Sequence, residues 1–129
     1  MNLIKFSTLS ALFALSISIF QQPTNAQGAS TFATSCTDIS INGAQLSATC
    51  NKDNGTNQRR SITIKGVHNQ NGQLVQGNLE EESTFNRTCT DISINGDKLS
   101  ASCRTSNGGN QHSSVTLLGI HNKNGNLSY

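Results

Sequence analysis

The chain repeats itself. Thr31-Phe32 recurs as Thr84-Phe85, Cys36 as Cys89, Cys50 as Cys103, His68 as His121 and Leu74 as Leu127, all at one step (89 − 36 = 53). Laying 31–76 on 84–129 needs no gap, and 26 of the 46 aligned positions are identical. A repeat too short to bury its apolar face alone must bury it against its copy. The duplication therefore predicts one compact unit, 27–129, with a pseudo-two-fold axis, rather than two independent beads. Its parts are repeat one (31–76), a linker (77–83) and repeat two (84–129).

Residues 1–26 stand outside the repeats. Lys5 supplies a short positive start, 11–20 an apolar run, and Thr24-Asn25-Ala26 small residues suited to cleavage. That pattern reads as a secretory signal peptide, too short for a membrane anchor and broken by Gln21-Gln22-Pro23. The expected mature protein is secreted and is not inserted in a membrane. It carries eight basic and seven acidic side chains (nine less Lys5; seven). This balance argues against nucleic acid, which calls for a clustered basic stripe. Arg59-Arg60 reads as a solvated strand edge and Glu80-Glu81-Glu82 as a solvated linker.

Each repeat holds two cysteines 14 positions apart (50 − 36; 103 − 89). In a secreted chain this reads as disulfides, for which three connectivities exist. The turn chemistry selects one. Asn42-Gly43 and Asn95-Gly96 lie almost midway between the paired cysteines, and Asn-Gly is the strongest short hairpin signal. A hairpin centred there sets Cys36 opposite position 49, so one bulge or a three-residue turn yields Cys36–Cys50 and, equivalently, Cys89–Cys103. Without a CxxC pair, a zinc site is the weaker reading, and no metal or cofactor is expected.

Asn-Gly also occurs at Asn54, Asn71, Asn107 and Asn124, with short alternating apolar segments between. Ile39 and Ile41, Leu46 and Ala48, and Ile62 and Ile64 follow period two, as do Ile92 and Ile94 with Leu99 and Ala101. The fold class is all-β, with one or two helical turns.

Thr84-Phe85…Cys89, Cys103, Asn107-Gly108-Gly109 and the closing Asn122-Lys123-Asn124-Gly125-Asn126-Leu127-Ser128-Tyr129 resemble the cyanovirin-N family of lectins. The resemblance covers essentially all of 27–129. It implies two pseudo-symmetric halves, each a triple-stranded sheet plus a β-hairpin, with strands exchanged between the repeats. It also implies non-catalytic binding of high-mannose oligosaccharides or glycoproteins at two sites, at opposite ends of the molecule. Carried over residue by residue, site one comprises Thr31, Thr34, Ser35, Asn51, Asp53, Asn122, Lys123 and Asn124. Site two comprises His68, Asn69, Asn71, Ser83, Thr84, Arg87, Thr88, Arg104, Thr105 and Ser106. Such side chains can meet vicinal hydroxyls as donors and acceptors together. Phe32, Phe85 and Tyr129 are the mature chain's only aromatics, so ring stacking is not the main device.

The chain departs from family acidic positions at Asn51, Arg87 and Asn124. An amide in place of a carboxylate gives weaker, less charge-assisted hydrogen bonds. Asn54, Asn86 and Asn126 head N-glycosylation sequons beside the proposed sites. The inter-repeat segment Val75–Ser83 is longer than the family's connection, which acts as a hinge for strand-swapped dimers, and lacks its proline. A longer, flexible linker relieves the strain that favours swapping, so a monomer is expected to dominate.

Two other functions share some of these features. His68 and His121 with Asp38 and Asp91 suggest an acid–base pair, but no nucleophile motif or carboxylate pair accompanies them. A small secreted interaction or defence protein without sugar binding shares the leader, size and disulfides. It does not account for two equivalent polar surfaces.

Overall fold

The structure, a computed structural model, describes residues 28–129. The leader expected over 1–26 lies outside the described residues. Ten strands form four antiparallel sheets. In repeat one, β1 (Cys36–Asn42), β2 (Gln45–Asn51) and β3 (Asn57–Thr63) make a triple-stranded sheet, and β4 (Val67–Gln70) and β5 (Gln73–Gln76) a hairpin. Repeat two gives the sheet β6 (Cys89–Asn95), β7 (Lys98–Arg104), β8 (Asn110–Thr116) and the hairpin β9 (His121–Lys123), β10 (Asn126–Ser128). Two 3-10 turns, Phe32–Thr34 and Phe85–Arg87, precede the sheets.

The hairpins change sides. β4–β5 packs on β7 and β8 of repeat two, and β10 packs on β2 and β3 of repeat one. Leu74 N–H donates to Ser113 Oγ at 2.9 Å, and Gln58 Nε2 to Asn126 Oδ1 at 3.0 Å. Each half is thus a sheet from one repeat capped by the hairpin of the other. The physical reason is the alternation. Leu46 and Ala48 of β2, with Ile64 one residue past β3, bury one face of the first sheet, and Leu99, Ala101 and Leu117 are their equivalents in the second. Those faces, with Phe32, Phe85, Val67 and Ile120, form one continuous core.

Both disulfides pair as expected, Cys36–Cys50 and Cys89–Cys103. The turn between them differs from expectation. Asn42 pairs with Gln45, so the two-residue loop is Gly43-Ala44 rather than Asn42-Gly43. Gly43 has φ +60° while Ala44 is not left-handed, which fits a type II′ turn. The register then shifts between Thr37 and Ser40, where Asp38 and Ile39 together face Ala48. Asp38, at φ 52°, is the bulged residue, and this extra residue restores Cys36 opposite Cys50. Repeat two does the same at Asp91. By contrast Asn71-Gly72 and Asn124-Gly125 are both-positive two-residue loops, the type I′ form that Asn-Gly favours.

Segment 77–83 is not a flexible tether. Gly66 N–H donates to Glu81 O at 2.8 Å, Gly77 N–H to Gly66 O at 2.6 Å, and Lys65 bridges Glu82. Asn78 turns the chain through its Oδ1, which accepts from Glu80 N–H at 2.8 Å. The three glutamates are exposed as expected; their backbone is pinned. Gly66 sits at φ +75°, and a Cβ there would lie 2.3 Å from Asn78 O, a backbone atom. Gly66→Ala is expected to cost at least about 2 kcal/mol in denaturant unfolding, from left-handed strain plus overpacking.

Tyr129 closes the chain by accepting a hydrogen bond from Lys65 N–H at 2.7 Å. Burial raises its phenol above the usual 10.0, outweighing the opposing pull of the Lys65 hydrogen bond. A folded-state value above the unfolded one contributes stability below pH 10 that is lost as pH rises through the raised value. Melting temperature should therefore fall above about pH 10, and Tyr129→Phe should weaken that fall. As the chain has one tyrosine, phenolate absorbance reads this ionisation directly.

Candidate functional site

Each half carries one polar surface, built where the segment before the first cysteine, the loop after the second, and the other repeat's hairpin converge. In the first, Thr31 and Phe32 N–H both donate to Ile120 O, at 2.9 and 3.3 Å. Asn51 N–H donates to Ser35 O at 3.0 Å, fixing the loop after Cys50 beside the segment before Cys36. Asn122 then ties three pieces together. Its Nδ2 donates to Ser35 Oγ and Asn51 O, each at 2.9 Å, and its Oδ1 accepts from Gly125 N–H at 2.7 Å. Asn124 Oδ1 accepts from Asp53 N–H at 2.8 Å, and Thr34 Oγ1 donates to Thr31 O at 2.7 Å. Lys123 stands exposed on the same hairpin.

Gly125 shows why the tip must be Asn-Gly. It has φ +91°, and a Cβ would fall 2.7 Å from Lys52 Cγ and 2.9 Å from Gln58 Nε2. A side chain there would be strained by the left-handed backbone and would have to displace the Lys52 and Gln58 side chains.

The second surface repeats this frame. Thr84 N–H donates to Val67 O at 2.9 Å and Arg104 N–H to Thr88 O at 3.0 Å. Asn69 Nδ2 donates to Thr88 Oγ1 at 2.9 Å and Arg104 O at 3.0 Å, while its Oδ1 accepts from Gly72 N–H at 2.7 Å. Asn71 Oδ1 accepts from Ser106 N–H and Oγ at 2.8 and 2.9 Å. Ser83 bridges Ile64 O and Val67 N–H, and Thr105 Oγ1 donates to Asn107 Oδ1. His68 Nδ1 shares a 2.6 Å hydrogen bond with Thr84 Oγ1, and its Nε2 lies 3.2 Å from Glu81 Oε1.

Both proposed sets are thus gathered, one in each half. Within them the roles divide. Asn69 and Asn122 spend their amides inside the protein and act as struts. Asp53, Lys123, Arg87 and Arg104 are exposed. Sequence reading missed His121, which shares a 2.6 Å hydrogen bond with Thr31 Oγ1, and Ser30, whose Oγ donates to Leu117 O at 2.7 Å. The 53-residue register applied to His68 and Ser83 points to both.

The histidines bond to threonines, while Asp38 and Asp91 serve the strand bulges, so the two residue types are put to separate structural uses. Among the described residues no three His, Cys, Asp or Glu side chains group as metal ligands. Asn54, Asn86 and Asn126 are all exposed. Asn54 Oδ1 accepts from Thr56 N–H and Oγ1, and Asn126 Oδ1 from Gln58.

Duplicated sheets, exchanged hairpins and two rigid polar surfaces define a lectin-like β-fold. The CVNH domain model matches residues 32–128, and the chain belongs to that cyanovirin-N-like lectin family. No curated protein sequence matches it. Among solved structures, the CVNH protein of T. borchii is 26% identical with a TM-score of 0.66, covering 77% of this chain and 98% of that one. A MoCVNH3 variant in complex with (N-GlcNAc)4 is 21% identical at TM-score 0.66, covering 81% and 99%. Microvirin in complex with mannobiose is 24% identical at TM-score 0.61, covering 75% and 95%.

Proposed function

We propose that the protein is a secreted, non-catalytic lectin that binds mannose-type oligosaccharides through its two polar surfaces. The observation that carries this reading is the duplicated frame. Thr31–His121 and Asn122 in one half, and Thr84–His68 and Asn69 in the other, hold equivalent surfaces rigid at identical positions. Preorganised donors and acceptors spare a sugar the cost of ordering its site. The fully buried Phe32 and Phe85 leave these surfaces to recognise hydroxyls by hydrogen bonds. Mannobiose and an N-GlcNAc oligomer bound to proteins of this fold support the ligand class.

The pinned segment 77–83 supports a mainly monomeric state, because opening it for exchange costs its hydrogen bonds. Two sites on one body then raise avidity toward multivalent glycans.

Glycan-array screening followed by calorimetry tests the proposal. Mannose-type oligosaccharides should bind with two sites per chain and no turnover. Absence of any glycan signal from folded protein would favour the non-sugar interaction protein, and sugar turnover would revive an enzyme.

A further inference from the structure

The two copies serve as each other's control. The aligned repeats differ at 20 of 46 positions (46 − 26), and only two runs of three consecutive differences occur, at 33–35 against 86–88 and at 51–53 against 104–106. These runs are the neighbouring walls of the polar surfaces, joined by Asn51 N–H to Ser35 O and by Arg104 N–H to Thr88 O. The struts behind them, Thr31/Thr84, His121/His68, Asn122/Asn69 and Asn124/Asn71, are identical. The frame is kept and the walls have diverged.

The divergence is one of charge. The site-one walls read Ala-Thr-Ser and Asn-Lys-Asp, formally neutral; the site-two walls read Asn-Arg-Thr and Arg-Thr-Ser, formally +2. Arg87 replaces Thr34, Arg104 replaces Asn51, and the carboxylate of Asp53 becomes the hydroxyl of Ser106. Among the described residues no Asp or Glu carboxylate lies within salt-bridge distance of Arg87 or Arg104. Arg59, by comparison, donates to Asp38 O, Ser40 Oγ and Thr49 Oγ1. Lys123 does add a cation to site one, but as a point charge on an exposed stem beside Asp53's loop. A guanidinium instead presents a planar fork that matches a phosphate or carboxylate. Glu81 lies 3.2 Å from His68 Nε2 and within salt-bridge distance of neither guanidinium.

We infer that site two recognises a sugar bearing an anionic group, a phosphate ester or a carboxylate, whereas site one takes neutral sugars. This rests on the lectin reading and assigns the two surfaces different ligands. The test is an NMR-monitored titration of the intact protein with mannose, mannose 6-phosphate, glucuronic acid and inorganic phosphate, at low and high salt. At least one anionic sugar should bind about ten-fold more tightly than mannose, perturb amides at 87–88 and 104–106, and weaken with salt. The stronger of the two sugars identifies phosphate or carboxylate as the source. Arg87→Thr with Arg104→Asn, which installs the site-one residues, should abolish that preference. Both positions are exposed, and each single variant tests the same point should the double variant not fold.

Equal affinity for mannose and both anionic sugars, or a preference that survives the substitutions, would overturn the inference and leave the lectin reading intact. Inorganic phosphate binding as tightly as the sugar phosphate would also overturn it, by showing a bare anion patch. Loss of all sugar binding at both sites would remove the lectin reading and this inference together.

Discussion

Cut into its two repeats, the chain is expected to lose its fold entirely. In an isolated 31–76 fragment the sheet β1–β3 lacks the β9–β10 cover, and Thr31 and Phe32 lose Ile120 O. The hairpin β4–β5, whose Leu74 is 6% exposed in the intact protein, would face water on the side that packs on β7 and β8. A 46-residue piece already buries too small a fraction of its surface to be comfortably stable. Deprived of half its core, it cannot offset the backbone entropy of ordering. Each fragment alone should give a disordered circular dichroism spectrum, and an equimolar mixture should regain β-structure. Cooperative unfolding of either fragment on its own would contradict the exchanged architecture.

The second large effect is expected from Asn122→Ala. The substitution removes three hydrogen bonds and leaves Asn51 O and Gly125 N–H without their partner. At about 1 kcal/mol for each bond, stability should fall by roughly 2–3 kcal/mol, since the site is only partly buried. The functional consequence is more specific. The β9–β10 tip would no longer be fixed to the loop after Cys50, so binding at site one should disappear while site two persists. Asn69→Ala should do the reverse. Chemical denaturation with calorimetric stoichiometry reads both effects. A variant that keeps two binding sites per chain would show that Asn122 is no strut.

The sequence carries the framework of this fold openly. The 53-residue step, the cysteine spacing and the period-two isoleucines suffice for two like halves with one disulfide each. The turns are legible only where the Asn-Gly pair itself forms the loop, as at Asn71 and Asn124. At Asn42 the same dipeptide straddles the strand end, because the bulge at Asp38 moves the register by one. Nothing in Thr-Asp-Ile announces a left-handed aspartate. The exchange of hairpins is invisible to local pattern, since β5 could as readily cover β3 as β8; resemblance to the lectin family supplied it. At the sites, sequence identifies polar residues and leaves strut and binding group alike. Only the hydrogen bonds separate Asn122, consumed internally, from exposed Asp53 or Arg104.

The central claim is that one chain holds two sugar sites, each assembled from both repeats. An NMR titration of the intact protein with a mannose-type oligosaccharide tests it most directly. The expected result is two separate groups of shifted amides, one at 51–53 with 122–124, the other at 104–106 with 69–71. Shifts confined elsewhere on the surface, or none at saturating oligosaccharide, would contradict it.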